Sequence, residues 1–186
     1  MEYPDPGISE REAAVLGLLC ENPLCGYTIE KIIDERGMRY WTDIGFSSIY
    51  YVLKRLERRD LVTVSCEQQE DKPSRKVYAI TAAGRDLMKE KVRSQLAHPH
   101  RIASPFDLGI VYNQLLSRKE TVACLRERMM ALDRSMHALR ARQARQKENR
   151  KPYFVLALSD RALAHLTTEK TWVEHFIREV ERNAAE

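Results

Sequence analysis

The chain has 186 residues, of which 44% are apolar and 31% charged, with a formal net charge of +4. This apolar fraction excludes wholesale disorder, and seven glycines with seven prolines exclude collagen-like and proline-rich proteins. The longest apolar stretch, residues 13–20, is far shorter than the roughly 20 residues of a membrane-spanning helix, and the acidic N-terminus lacks the apolar run of a secretory signal.

The charge is distributed unevenly along the chain. Residues 1–95 contain 15 basic and 16 acidic side chains, whereas residues 96–186 contain 16 basic and 11 acidic ones. Bulk charge therefore does not indicate nucleic-acid binding by the first half, and any such prediction depends on local pattern. Four sparse cysteines do not form a disulfide framework, so we expect reduced thiols and a cytoplasmic location without membrane association.

Three helices are predicted first. Ser9 and Glu12 form a capping box that starts the first helix, which Asn22-Pro23 ends. The second helix follows Gly26 and ends before Gly37, and the third covers about residues 47–59. Their apolar positions recur at helical spacing and are Val15, Leu18, Leu19, Ile29, Ile32, Ile33, Ile49, Val52, Leu53 and Leu56.

The periodicity then changes to that of strands. Residues 61–66 and 76–80 alternate with period two, and the polar segment 67–75 connects them, which predicts a hairpin with a long tip. Thr81 is the expected N-cap of a fourth helix. The histidine- and proline-containing segment that follows indicates a linker at residues 98–105.

The second half reads as helix throughout. A short helix is followed by a second capping box, Ser117 and Glu120, which starts a long helix with a heptad seam, and Pro152 precedes a last helix. Because the seam cannot be buried by one helix alone, we expect it to be covered by a second copy of the chain. The predicted dimerisation residues are Val122, Leu125, Met129, Leu132, Met136, Leu139, Val173, Phe176 and Val180.

This order of elements predicts the fold. Three helices, a hairpin and a further helix indicate a winged helix-turn-helix domain, so we expect a mainly α fold with a small β-hairpin wing. We assign residues 1–97 to this DNA-binding domain, and residues 106–186 to a helical, coiled-coil-like domain for dimerisation and effector binding.

The third predicted helix has the properties of a groove-reading helix. Opposite its apolar face it presents hydroxyl and basic side chains, and a helix about 10–12 Å wide fits a major groove about 12 Å wide. The hairpin tip offers further donors for an adjacent minor groove or its phosphates. The predicted DNA-binding residues are Tyr27, Ser47, Ser48, Tyr50, Tyr51, Lys54, Arg55, Lys72, Ser74, Arg75 and Lys76.

Several of these residues stand in segments that resemble one known family. The matching pieces are Leu16-Gly17-Leu18-Leu19, Gly26-Tyr27, Ser48-Ile49-Tyr50, residues 53–57, Lys76-Val77-Tyr78 and residues 81–85. Together they are similar to the PadR family of bacterial and archaeal transcription regulators. The resemblance implies a homodimeric winged-helix repressor that binds double-stranded DNA at a pseudo-palindromic operator, and a small aromatic effector that releases it. The family often has proline at the position of Tyr51 and glycine at that of Asp60.

Other classes of function find less support in the sequence. The chain has no nucleophile elbow, P-loop, metalloprotease motif or cysteine–histidine spacing typical of zinc sites, so we expect no enzyme activity, no metal and no cofactor. A protein-interaction module that uses the winged helix as scaffold, without direct DNA readout, remains the main alternative because the first half carries no excess of basic residues. A ligand-binding or redox protein is a third hypothesis.

Overall fold

The structure is a computed structural model that describes residues 7–42, 44–69, 72–99 and 104–182. The chain divides into two compact units, residues 1–101 and residues 102–186. Each is described by itself. The predicted mainly α fold with a small antiparallel sheet, and with long helices in the second half, is confirmed.

The first unit has the element order of a winged helix-turn-helix. Its helices and strands are α1 (Glu10–Glu21), β1 (Leu24–Cys25), α2 (Gly26–Glu35), α3 (Phe46–Arg58), β2 (Val62–Gln69), β3 (Lys72–Ile80) and α4 (Ala82–Ala97). The strands form one antiparallel sheet in the order β1-β3-β2. The helix-turn-helix is thus α2 and α3, and β2 with β3 is the wing.

Local signals in the sequence set the ends of these helices. The Ser9 side chain accepts a hydrogen bond from the Glu12 N–H and the Glu12 carboxylate accepts one from the Ser9 N–H, which confirms the first capping box. Gly37 follows α2 with φ of 60°, a left-handed conformation that glycine adopts without steric cost. Thr81 caps α4 by accepting from the Gly84 N–H at 3.0 Å.

The sheet differs from the prediction in two respects. The wing strands continue into the segment predicted as connector, so that Glu67 pairs with Arg75 and Gln69 with Lys72. The two-residue strand β1 was not predicted, and Leu24 pairs with Tyr78 on β3. Polar residues in the connector do not show strand periodicity, and a two-residue strand has no period. Both features arise from pairing with distant residues.

One apolar core joins the three helices to the sheet. The helical positions predicted to be buried are buried, apart from Ile32, which is partly buried against the core. The fully buried residues of this core include Leu16, Leu19, Ile29, Leu53 and Leu56. Because the apolar face of α3 is turned into this core, the opposite face of α3 is exposed.

The second unit is built on a helical hairpin. Its elements are α5 (Pro105–Val111), a 3₁₀ turn (Asn113–Leu115), α6 (Arg118–Glu148) and α7 (Tyr153–Arg182). The second capping box, Ser117 with Glu120, is confirmed at the start of α6. Ion pairs between Arg126 and Glu181, and between Lys170 and Asp133, show that α6 and α7 run antiparallel.

The heptad seam of α6 is covered within the chain, which corrects one expectation. Four of its residues, Val122, Leu125, Leu132 and Met136, are buried in the single chain, and so is Val173 of α7. Met129, Leu139, Phe176 and Val180 are partly buried. The sequence analysis assigned this seam to a second copy because it treated α6 as lacking a partner. The partner is α7, so these nine side chains do not form an unoccupied face.

Candidate nucleic-acid interface

The outer face of α3 is polar, aromatic and exposed. Tyr50 and Tyr51 are 54% and 67% exposed, and Lys54 and Arg55 are exposed on the next turn. Ser48, near the start of the helix, is partly buried. The four apolar residues on the other side of the helix are at most 4% exposed. The two tyrosines are therefore not core residues, and α3 is amphipathic in the sense that groove insertion requires.

A groove of about 500 Å³ runs between the start of α2, the outer face of α3 and the wing strand β3. It is lined by Cys25, Gly26, Tyr27, Tyr50, Lys54, Glu57, Arg75, Lys76 and Tyr78. Five residues that the sequence analysis singled out for DNA binding meet in this groove, although they come from three separate elements. Tyr27, Tyr50, Lys54, Arg75 and Lys76 thus share one surface.

Gly26 allows the Tyr50 ring to approach the backbone of α2 closely. A β-carbon at this position would lie 2.7 Å from Cε1 of Tyr50, which is closer than real side chains approach. The Tyr50 ring therefore occupies space that any other residue at position 26 would fill. The absence of a side chain at position 26 thus leaves room for the orientation that the Tyr50 ring adopts.

Cys25 directly precedes α2 and lines the same groove as the Tyr50 ring. Its sulfur lies 3.1 Å from the Thr28 Oγ1. Burial raises the pKa of the Cys25 thiol, but hydrogen bonding by Thr28 and the charge of Arg75 outweigh that effect, and the net pKa is lowered.

Two of the predicted phosphate-binding arginines are already paired with carboxylates. The Arg55 Nε lies 3.0 Å from Oε1 of Glu12, a residue that is 1% exposed. On the wing, Arg75 donates from Nε and Nη2 to Oε2 of Glu67 at 3.1 and 2.8 Å, across the β2–β3 pair. Both arginines remain about half exposed. Because each is paired with a carboxylate, these two arginines offer less uncompensated positive charge to a phosphate than the sequence alone suggests.

Other predicted residues do not line the groove. Tyr51 and Arg55 are exposed on α3, and Ser74 is exposed on β3. The backbone at Ser47 and Lys72 is described, but their side chains lie outside the described residues. The histidine-rich linker falls partly outside them as well, at residues 100–103.

The sequence analysis missed four residues that shape this surface. Glu12 was identified only as a capping residue, and Cys25, Glu57 and Tyr78 were given no role in the groove. Burial raises the pKa of Tyr78, and the nearby Glu57 carboxylate adds to that rise, so Tyr78 stays neutral. Tyr78 and Glu12 reach this surface by strand pairing and by packing between helices, which no local pattern marks. Glu57 shares a face of α3 with Tyr50 and Lys54 at helical spacing, and Cys25 directly precedes Gly26, so a local pattern could have found these two residues.

Two negative observations apply to the part of the chain that the structure describes. It contains no group of three or more histidine, cysteine, aspartate or glutamate residues placed to hold a metal ion. It also contains no helix that combines the length and the apolarity needed to cross a lipid bilayer.

Comparison with known proteins relates this chain to one family. Residues 15–90 match the family model described as the transcriptional regulator PadR-like family. The negative transcriptional regulator PadR of Bacillus subtilis is 29% identical over 107 residues, an alignment that covers 58% of this chain and 58% of that relative. The aligned segment therefore spans less than two thirds of the relative's length.

Solved structures share the fold over most of the chain. The crystal structure of Bacillus subtilis PadR in complex with operator DNA has a TM-score of 0.72 at 22% identity, covering 91% of this chain and 98% of that one. The crystal structure of Bacillus subtilis PadR in complex with p-coumaric acid has a TM-score of 0.71 at 20% identity, with coverage of 92% and 95%. The likeness extends through both units of the chain.

Proposed function

Because residues 15–90 match the model of the transcriptional regulator PadR-like family, we propose that the chain is a member of this family and a homodimeric repressor that binds a pseudo-palindromic operator. Members of this family are transcriptional regulators and not enzymes, as the absence of catalytic motifs predicts. In the proposal, α3 enters the major groove and the wing contacts the neighbouring backbone. The predicted DNA-binding residues on these elements keep their assigned roles.

One observation carries the DNA-binding proposal. Tyr27, Tyr50, Lys54 and Lys76 line one open groove beside the exposed face of α3. Phosphates attract the two lysines, and the N-terminus of α2, where Tyr27 lies, favours anions. Tyrosine hydroxyls donate to phosphate or to base edges. The surface therefore combines shape, charge and donors that suit duplex DNA.

Repression, rather than activation, is proposed from the relative with the highest sequence identity reported above. That protein is named a negative transcriptional regulator. Repression requires only that the bound protein block access to a promoter, so no surface for contacting polymerase has to be present. A reporter gene placed behind the selected operator tests this: the chain should lower its expression, and a rise in expression would contradict the proposal.

A second copy of the chain would cover apolar side chains that the single chain leaves exposed. Most of these exposed side chains lie in the second unit and do not belong to its buried seam. They include Leu108, Val111, Tyr112, Leu115, Leu116, Tyr153, Phe154 and Leu158. They form two separate groups, one around α5 and the 3₁₀ turn and one at the start of α7. Exposed apolar patches are typical of subunit interfaces. We expect a dimer by light scattering, and the double variant Leu108→Glu with Leu115→Glu should shift it towards monomer. A wild-type monomer at micromolar concentration would contradict the proposal.

Release by a small aromatic effector is the third part of the proposal. A protein of this fold has been crystallised with p-coumaric acid. In the second unit, Trp172 stacks on Phe176 at 5.0 Å and meets Phe106 edge-on at 5.9 Å, so a tryptophan reports directly on this aromatic cluster. In the variant Trp41→Phe, whose remaining tryptophan is Trp172, titration with p-coumaric acid should change the fluorescence and release DNA. An effector shifts DNA binding only if it prefers one of two states. Fluorescence and DNA affinity that both stay constant would contradict an effector of this class.

Selection of bound DNA from a random-sequence pool tests the whole proposal. We expect an inverted repeat whose half-sites are centred one helical turn apart, about 34–36 Å. A recovered site without symmetry would contradict the homodimer. Failure to enrich any sequence would contradict DNA readout.

The pairing of Arg55 and Arg75 with carboxylates favours one alternative, a protein-interaction module without DNA readout. The same selection separates the two functions, because an interaction module enriches no sequence. An interaction module would also tolerate the loss of Lys54 and Lys76.

A further inference from the structure

Glu12 performs more than a capping function in α1. Its Oε2 accepts hydrogen bonds from the N–H and the hydroxyl of Ser9 at 2.8 and 2.9 Å. Its Oε1 lies 3.0 Å from the Arg55 Nε and 3.4 Å from the Arg59 Nη1. The capping box uses only Oε2 of Glu12. Oε1 pairs instead with the two arginines at the end of α3.

The second capping box of the chain shows what capping alone requires. Glu120 accepts from the Ser117 N–H at 2.8 Å in the same geometry, yet it is exposed. Hydrogen bonds with Ser117 lower the pKa of Glu120, because they favour its charged form. Glu12, in contrast, is 1% exposed. Capping therefore does not require a buried glutamate in this chain. The glutamate that is buried, Glu12, is the one that pairs with two arginines.

Burial of a carboxylate is costly unless the charge is paired. A buried ion is tolerated when good geometry and additional hydrogen bonds replace its lost hydration. Arg55 in the last turns of α3 and Arg59, the residue directly after α3, supply that pairing. The Arg59 Nη1 also donates to the Gly7 carbonyl at 2.9 Å. The arrangement ties the guanidinium groups at the end of α3 to a fixed point on α1.

Arg55 lies at the border of the proposed DNA-binding face. It follows Tyr51 by one helical turn, and 51% of its side chain is exposed even though its Nε faces Glu12. The guanidinium is a planar fork, so fixing Nε also fixes the direction in which the terminal amino groups point. A side chain already held in one rotamer loses less conformational entropy when it contacts a phosphate.

We propose that Glu12 is a positioning residue for DNA binding, which holds Arg55 in the orientation that contacts an operator phosphate. The inference rests on the proposed function. Glu12 itself does not touch DNA, and as an anion near the interface it would repel phosphate. The benefit of positioning and the cost of repulsion therefore predict opposite effects when the Glu12 charge is removed.

The test uses the duplex that the wild-type chain selects from a random pool. We compare the wild type, Glu12→Gln, Arg55→Ala and the double variant, with Glu120→Gln as the matched capping-box control. Affinity is measured as a function of salt, and the folded fraction of each variant is determined by circular dichroism. Loss of one charge-assisted contact should weaken binding of Arg55→Ala by about tenfold for each subunit of the dimer. It should also reduce the slope of log affinity against log salt by about 1.8, because the dimer carries two copies of Arg55 and each contact contributes about 0.9.

Positioning predicts that Glu12→Gln weakens binding in the presence of Arg55 and has no further effect once Arg55 is alanine. If Glu12→Gln binds DNA as tightly as the wild type or more tightly, the inference is overturned. The Glu12 charge would then have no positioning effect and would at most repel phosphate. An equal loss in both backgrounds would also overturn it, since the role would be structural only. Glu120→Gln should leave affinity unchanged.

Arg55→Lys provides a second test if Glu12→Gln fails to fold. Lysine keeps the charge but lacks the fork, so its ammonium cannot hold Glu12 and reach a phosphate in the same geometry. Affinity should fall by several-fold, and wild-type affinity in Arg55→Lys would overturn the inference. A wild-type chain that selects no DNA would instead remove the proposed function, and this inference with it.

Discussion

The Tyr50 ring on α3 packs against the bare backbone of Gly26 at the start of α2, where a β-carbon would come within 2.7 Å of it. The atom that would be displaced is at the far end of a side chain that is 54% exposed, so the ring can move without disturbing the core. Residue 26 therefore controls the orientation of a tyrosine on the proposed reading helix.

Gly26→Ala should weaken DNA binding more than it weakens the fold. We expect several-fold lower affinity for the selected duplex, with a change in the free energy of unfolding below about 1 kcal/mol because alanine is also a better helix former. Fluorescence titration and urea denaturation measure the two quantities. In a Tyr50→Ala background the substitution should have no further effect on affinity, and an equal loss there would contradict the role of the ring.

Gly84→Ala should strongly destabilise the first unit. A β-carbon at Gly84 would collide with the Leu61 carbonyl oxygen and lie 3.0 Å from Cγ1 of Ile80, and a backbone atom cannot move aside cheaply. We expect a loss of about 2–3 kcal/mol, typical of overpacking against a rigid neighbour. Urea denaturation measures it. Gly109 on α5, with nothing within 4 Å, is the matched control, and Gly109→Ala should cause no loss. Equal midpoints for both variants would contradict the packing at Gly84.

Asp60→Gly should stabilise the chain. Asp60 has φ of 55°, a left-handed conformation that costs a residue with a β-carbon roughly 1 kcal/mol. Its carbonyl accepts from the Thr81 Oγ1 at 2.9 Å, a bond that glycine retains. We expect a gain of about 0.5 kcal/mol by thermal denaturation, since the greater freedom of unfolded glycine offsets part of the relief. Asp60→Ala should lose stability, and a gain there would show that strain is not the cause.

Cys25 should be alkylated faster than Cys20. Burial raises the pKa of Cys20, whereas Thr28 and Arg75 outweigh burial and lower that of Cys25, so at pH 7–8 Cys25 contains more thiolate. Mass spectrometry after timed treatment with iodoacetamide measures both rates. Thr28→Val should slow the reaction of Cys25 alone. The selected duplex should also protect Cys25, and an unchanged rate with DNA bound would speak against the groove as the interface.

Features coded by neighbouring residues could be predicted from the sequence. The capping boxes at Ser9 and Ser117, the Thr81 cap and the left-handed Gly37 depend on residues a few positions apart, and each was confirmed. The amphipathic face of α3 has a helical period and was predicted for the same reason.

Features that depend on distant partners could not be predicted. The pairing of Leu24 with Tyr78, and of Arg55 with Glu12, joins residues more than 40 positions apart. The seam of α6 was recognised as apolar, but periodicity does not distinguish a partner helix in the same chain from one in a second copy. The exposed apolar residues that we now assign to dimerisation became apparent only once α7 was seen to cover the seam.

The salt dependence of DNA binding tests the central claim most directly. Lys54 on α3 and Lys76 on the wing are exposed and line the same groove, so both should neutralise operator phosphates. For the variant Lys54→Ala with Lys76→Ala, a homodimer loses four phosphate contacts, so the slope of log affinity against log salt should fall by about 3.6, at about 0.9 for each contact. Arg145→Ala, which removes an exposed charge from the second unit, should keep the wild-type slope. A double variant that retains the wild-type slope would contradict the assignment of this groove to DNA.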